Sequence, residues 1–249
     1  MLKEERLDFI LQRLKDNQKV TLGELSGALQ VSEDTVRRDI ELLANNGLLM
    51  KVRGGAIPHS PNVHSFKERI HLLEHNKKQV AEKALGLLQP GQVILLDGGT
   101  TTYTIASMLP HDLAITVVTN NIPIAALLAD HPSVELILAG GKVFKNSQVT
   151  MGMEALRMFR RMRVDTCFIG VCSLHHEIGI STNDYGEAEV KSEMLKCANR
   201  VVAVTTNDKI GTAEPYKVCD ITELDTIVTE ESTDSDLLKP YTALGIKVL

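Results

Sequence analysis

Six near-continuous apolar runs dominate the chain beyond residue 90: VILLD (93–97), ITVVT (115–119), VELILA (134–139), DTCFIGV (165–171), RVVAVT (200–205) and DTIVT (225–229). Short, β-branched runs without alternation read as strands buried on both faces. Helical patterns separate most of them, namely TTYTIASML, the Pro123-led IPIAALLAD, EALRMFRRM and GEAEVKSEMLKCA, and VAEKALGLL precedes the first. Strand and helix in alternation imply an α/β domain with a mainly parallel sheet. Open sheets of this kind bind ligands beyond the carboxyl ends of their strands.

Those ends carry small and hydrogen-bonding residues. Asp97 is followed by Gly98, Gly99, Thr100, Thr101 and Thr102, immediately before a helix. Glycines admit close approach of an anion, threonine hydroxyls donate, and a helix N-terminus adds free amides. The same turn also suits a plain strand-to-helix connection, and it has neither the lysine of a Walker loop nor GxGxxG spacing. Thr119, Asn120 and Asn121 end the second run, Gly140 and Gly141 the third, Gly170 and Cys172 the fourth. Four strand ends thus face one rim. Lys191 and Lys209 are the candidate cations for a phosphate there, and each also reads as an ordinary surface lysine.

The first sixty residues follow a different pattern. Leu7, Ile10, Leu11 and Leu14 mark one amphipathic helix, and Thr21 with Glu24 forms a capping box ahead of a short second one through Leu29. In VSEDTVRRDIELL, Ser32 is a good N-cap, Val36, Ile40 and Leu43 share an inward face, and Thr35, Arg37 and Arg38 project outward. Short helix, tight turn and longer helix make a helix-turn-helix. Asn45, Asn46 and Gly47 read as its end. Leu48, Met50 and Val52 then alternate with Leu49, Lys51 and Arg53, a strand closed by Gly54 and Gly55 that reads as a wing. Ser32, Thr35, Arg37, Arg38, Lys51 and Arg53 are therefore the expected contacts to double-stranded DNA. Nine cations and nine acids balance within residues 1–60. Attraction to phosphate must come from the local basic cluster, and one copy should bind weakly.

A net charge of −5 with 43% hydrophobic and 24% charged residues describes a two-domain globular protein. The division expected is a DNA-binding domain over 1–57, a linker over 58–76 and an α/β domain over 77–249. His59, His64, His71 and His75 are scattered through the linker without acidic or cysteine partners, so exposed histidines are expected there rather than a metal site. Cys167, Cys172, Cys197 and Cys219 show no CxxC pairing and read as buried reduced thiols. No secretory leader or apolar membrane run is present in the sequence, which points to the cytoplasm.

The run from 20 to 56, with its S-x-x-T-V-R-R-D-I helix and Gly-Gly-Ala wing, resembles the N-terminal domain of the DeoR family of bacterial transcriptional regulators. DGGTTT, VVTNN, LAGG, FIGVCSL, the Lys191 helix and NDKIG resemble that family's sensor domain, related in fold to ribose-5-phosphate isomerase and glucosamine-6-phosphate deaminase. Two departures stand out: Arg53 replaces the usual histidine before the glycines, and Thr206-Asn207-Asp208-Lys209 replaces Asp-x-Ser-Lys. The resemblance implies a repressor of carbohydrate genes, a homodimer or homotetramer controlled by a phosphorylated sugar, with no cofactor. By it, Gly99 to Thr102 hold the phosphate, Thr119 and Asn120 border the sugar, and Lys191 and Lys209 close the site. A sugar-phosphate isomerase or deaminase fused to a DNA module is the competing expectation. It needs a carboxylate base, for which Asp97, Asp184, Glu187 and Glu189 are candidates, the last two also fitting a solvated helix start.

Overall fold

The computed structural model describes residues 2–17, 19–60 and 65–249. Its N-terminal part comprises α1 (Lys3–Asn17), β1 (Val20–Thr21), α2 (Leu22–Leu29), α3 (Glu33–Asn45), β2 (Met50–Val52) and β3 (Gly55–Ile57). Thr21 and Glu24 close the capping box, Gln30 takes the left-handed conformation that ends α2, and Ser32 caps α3 by accepting from the Thr35 amide. Ile10, Leu14, Leu25, Leu29, Val36, Ile40 and Leu43 form one buried cluster, the apolar stripes of the three helices turned inward.

The wing is a three-stranded antiparallel sheet in the order β1-β3-β2. Its inward residue is Leu49 (1% exposed), whereas Leu48, grouped with Met50 and Val52 in the alternation, is 52% exposed. The reason lies in the helix end: Gly47 has φ +69 and the Leu48 amide bonds back to the Leu43 carbonyl, so the strand phase starts only at Met50. Gly55 is not the turn residue either. A Cβ there would lie 1.9 Å from the Val20 carbonyl oxygen, so glycine is what lets β1 join the sheet.

The larger part begins with α4 (Phe66–Arg69) and α5 (Glu74–Leu85), then β4 (Val93–Leu96), α6 (Thr100–Ser107), β5 (Ile115–Thr119), α7 (Ile122–Leu128) and β6 (Val134–Leu138). A hairpin of β7 (Lys142–Phe144) and β8 (Val149–Met151) follows, then α8 (Met153–Phe159), β9 (Val164–Gly170), β10 (Ser173–His175) and β11 (Gly179–Thr182). The chain ends with α9 (Tyr185–Lys196), β12 (Ala198–Val204), β13 (Tyr216–Cys219), β14 (Thr226–Val228), α10 (Lys239–Ala243) and β15 (Lys247–Val248). Seven of these strands form one sheet, ordered β15-β14-β12-β9-β4-β5-β6, in which every pairing is parallel. Two apolar clusters cover it, one on each face. All six apolar runs are strands of this sheet, but VELIL is not buried on both faces: as edge strand β6 it leaves Leu138 46% exposed.

The segment expected as a linker is partly built into the larger half. Residue 77 falls inside α5, Phe66 is buried with its ring edge-on to Tyr103 at 5.9 Å, and the Phe66 amide bonds to the Asn146 carbonyl. Its single large aromatic finds an apolar seat, which a free linker lacks. His59 is half-buried, 3.4 Å from Glu214, while His71 and His75 are exposed; His64 lies outside the described residues.

Candidate functional site

On α3, Arg37 and Arg38 are both exposed, as are Ser32 before it and Lys51 and Arg53 on the wing; Thr35 is half-buried. Arg37 is held by Asp34 at 2.8 Å and Lys51 lies 3.4 Å from Glu41. Among the described residues Arg38 and Arg53 have no ion pair, so they are the cations most readily given to a phosphate. The acid of the Arg-Arg-Asp run has another purpose. Asp39 is 3% exposed and accepts from Arg6 Nε at 2.8 Å and Nη2 at 3.2 Å, which ties α1 to α3 and fixes the angle at which the arginines project.

A second site lies beyond the carboxyl ends of β4 and β9. Gly98, Gly99, Thr100, Thr101, Gly170, Lys191 and Lys209 line one cleft, seven of the residues expected there. Gly98 is required by a close approach: a Cβ would stand 2.0 Å from Val149 Cγ1 on the hairpin. Asp97 lies beneath the cleft wall. Its carboxylate accepts the Gly170 amide at 2.9 Å and is paired with the Lys191 ammonium, which also donates to the Gly170 carbonyl at 2.9 Å. Burial opposes the charge on Lys191, but Asp97 and Glu187 outweigh it and the ammonium's pKa is raised. Lys209 sits at 7% exposure, and burial, opposed in part by Asp208, pushes its pKa down.

Besides Asp97, five expected residues do not reach the cleft surface. The Thr102 hydroxyl is fully buried and donates to the Asp97 and Gly99 carbonyls, bracing the turn from behind. The Thr119 hydroxyl accepts the Asn121 amide, and Asn120 donates to the Thr150 carbonyl; both organise the start of α7 against the hairpin. Gly140 and Gly141 are exposed, and Gly141, at φ +139, packs against the Met151 backbone where the hairpin leaves β6.

Others enter that the sequence did not single out. Arg69 comes from α4, and Asn146 and Ser147 from the β7–β8 turn. Among the described residues Arg69 Nε is buried without a hydrogen-bond partner. The Lys77 ammonium donates to the Arg69 carbonyl and holds the end of α4 in place; burial, with Lys209 and Arg69 nearby, lowers its pKa to about 8. No local pattern marks Arg69, because its cleft partners are far away in sequence. Of the candidate bases, Asp184 caps α9 by accepting the Glu187 amide at 2.9 Å, and Glu189 is exposed with its carboxylate on Tyr185. Glu187 is not solvated as the helix-start reading had it: it is 9% exposed and lines the cleft. Cys167, Cys197 and Cys219 are buried, whereas Cys172 is half-buried on the cleft wall. Among the described residues, no helix is long and apolar enough to cross a membrane.

A winged helix-turn-helix whose second helix presents free arginine, carried on an α/β domain with a cationic cleft, defines the class of DNA-binding transcriptional regulators. Residues 6–61 match the model of the DeoR-like helix-turn-helix domain and residues 73–231 that of the DeoR C-terminal sensor domain. The chain belongs to the DeoR family. The HTH-type transcriptional repressor GlcR of Bacillus subtilis is 32% identical over 253 residues, covering 100% of this chain and 96% of its own. The HTH-type transcriptional regulator GlpR of Haloferax volcanii is 30% identical over 253 residues, with 100% and 98% covered. Among solved structures, ribose 5-phosphate isomerase A of Methanocaldococcus jannaschii overlays 55% of this chain and 54% of its own with a TM-score of 0.41 and 18% identity.

Proposed function

We propose that the protein represses carbohydrate-metabolism genes in the cytoplasm, and that a phosphorylated sugar in the cleft changes its hold on operator DNA. The observation that carries this reading is the convergence of three cations, Arg69, Lys191 and Lys209, on the amides and hydroxyls at the start of α6. Thr100 and Thr101 supply the hydroxyls, and a bound anion opposes the effect of burial on the Lys209 ammonium. GlcR bears the name of a repressor, which supports the sign of regulation. Of the candidate bases, Asp97 is committed to Lys191 and Asp184 to its helix cap, which leaves Glu187 as the one in the cleft that an isomerase or deaminase reading would have to use. The charge-neutral DNA module supports action as a homodimer or homotetramer, in which two weak contacts on one duplex become intramolecular.

The cleft shares Arg69 with the segment that leads from the wing, so ligand and DNA contacts act on one stretch of chain. A coupling of about 1–3 kcal/mol changes affinity roughly five- to 150-fold. Thermal-shift measurements with hexose and pentose phosphates test the reading, followed by anisotropy on a duplex selected by the protein from random DNA. A sugar phosphate that raises Tm and alters duplex affinity is expected. Indifference to all of them would remove the effector role.

A further inference from the structure

Glu187 is the cleft residue that phosphate binding does not explain. It stands in the first turn of α9 behind the Asp184 cap, 9% exposed, and its side chain faces the same cleft as Arg69, Lys191 and Lys209. A carboxyl group repels the phosphate that the cations attract, and although it helps to keep Lys191 charged, Asp97 already makes the direct ion pair with that ammonium. The helix N-terminus does not need it either, since Asp184 already takes the Glu187 amide. Among the described residues its carboxyl receives no hydrogen bond. Lys191 and Arg69 are the opposite charges that act on it, and Lys191 spends its ammonium on Asp97 and the Gly170 carbonyl. Its carboxyl oxygens open onto the cleft, where water or a ligand can pair with them. Burial also pushes its pKa up, with Lys191 opposing.

We propose that Glu187 reads the sugar: its carboxyl takes a hydrogen-bond donor, hydroxyl or ammonium, on the carbohydrate part of the bound sugar phosphate. This rests on the cleft being a sugar-phosphate site. The division of labour is then chemical. The start of α6 and the cations hold the phosphate, which every candidate effector carries. Glu187, from a different element, selects those whose remaining atoms present a donor, and excludes inorganic phosphate from acting as effector.

Titration calorimetry on the full chain tests this with glucose 6-phosphate, fructose 6-phosphate, ribose 5-phosphate, glucosamine 6-phosphate and inorganic phosphate. The wild type is compared with Glu187→Leu and Glu187→Gln. The sugar phosphate that the wild type binds best should weaken about tenfold or more in Glu187→Leu, the worth of one hydrogen bond to a buried carboxyl. Inorganic phosphate should bind this variant as well as the wild type or better. Retention of affinity in Glu187→Gln identifies a hydroxyl as the donor, and loss of glucosamine 6-phosphate alone identifies the ammonium. Where Glu187→Leu lacks the ligand-free Tm of the wild type, Glu187→Ala is read by the same criteria. Unchanged sugar affinity in the apolar variant, or equal loss of sugar phosphate and inorganic phosphate, would overturn the assignment and leave the cleft reading standing. A wild type that binds none of the sugar phosphates overturns both.

Discussion

The Ser60 amide donates to Glu214 Oε1 at 3.0 Å, and His59 Nδ1 lies 3.4 Å from Oε2 of the same carboxylate. Residues 59 and 60 follow the wing strand β3, while Glu214 follows the loop of Lys209, whose carbonyl accepts from Thr212. The Ala213 amide adds a bond of 3.4 Å to the Pro58 carbonyl. Cleft and wing are therefore joined by a few hydrogen bonds around one carboxylate. Glu214→Ala should leave the thermal shift with sugar phosphate intact and reduce the ligand's effect on operator affinity from roughly five- to 150-fold to about onefold. Anisotropy with and without ligand decides it; wild-type regulation in this variant would place the coupling elsewhere.

Adjacent residues on α3 should behave in opposite ways. Arg38→Ala removes an exposed, unpaired cation, so operator binding should weaken and the slope of log K against log salt should shrink by about 0.9, with Tm unchanged. Asp39→Ala strands Arg6, which is 15% exposed beside an almost fully buried partner, and should cost about 1–3 kcal/mol of stability. Urea melts and salt-dependent binding of both variants separate the two roles; matching losses of stability would remove Arg38 from the DNA face.

His175 makes stability pH-dependent. Burial, aided by His176 stacked at 4.5 Å, lowers its pKa from 6.5 to about 4, and its Nδ1 accepts the Glu177 amide at 3.1 Å, a bond available only to the neutral ring. The folded protein thus binds fewer protons than the unfolded chain between these values. Its contribution is present above pH 6.5 and is lost as pH falls toward 4, on the order of 2–3 kcal/mol. Urea unfolding of His175→Gln should show a shallower fall across that window than the wild type. Parallel curves would assign the acid sensitivity to carboxylates instead.

Much of the scaffold was legible because it is encoded locally. The capping box at Thr21, the Ser32 cap, the stripe Val36-Ile40-Leu43 and the apolar runs of the sheet all depend on neighbours within one or two turns or one strand. The β7–β8 hairpin and the β10-β11-β13 sheet escaped notice because strands of three or four residues carry too little pattern to stand out. Gly98–Thr101 and Gly170, expected from strand ends, share one cleft with Lys191 and Lys209, yet Thr102 turned inward and Gly141 served the hairpin.

By itself, then, the sequence determined the two modules, the recognition helix with its arginines, and the rim on which an anion would be sought, since each is a matter of short-range spacing. Tertiary structure alone decided which side chains share the cleft. Arg69 arrives there because Phe66 and Lys77 pin α4 to the larger half, Asp97 withdraws to hold Lys191, and Glu187 is buried by the fold around α9. Such placements join residues tens of positions apart, and only the packed chain brings them within bonding distance.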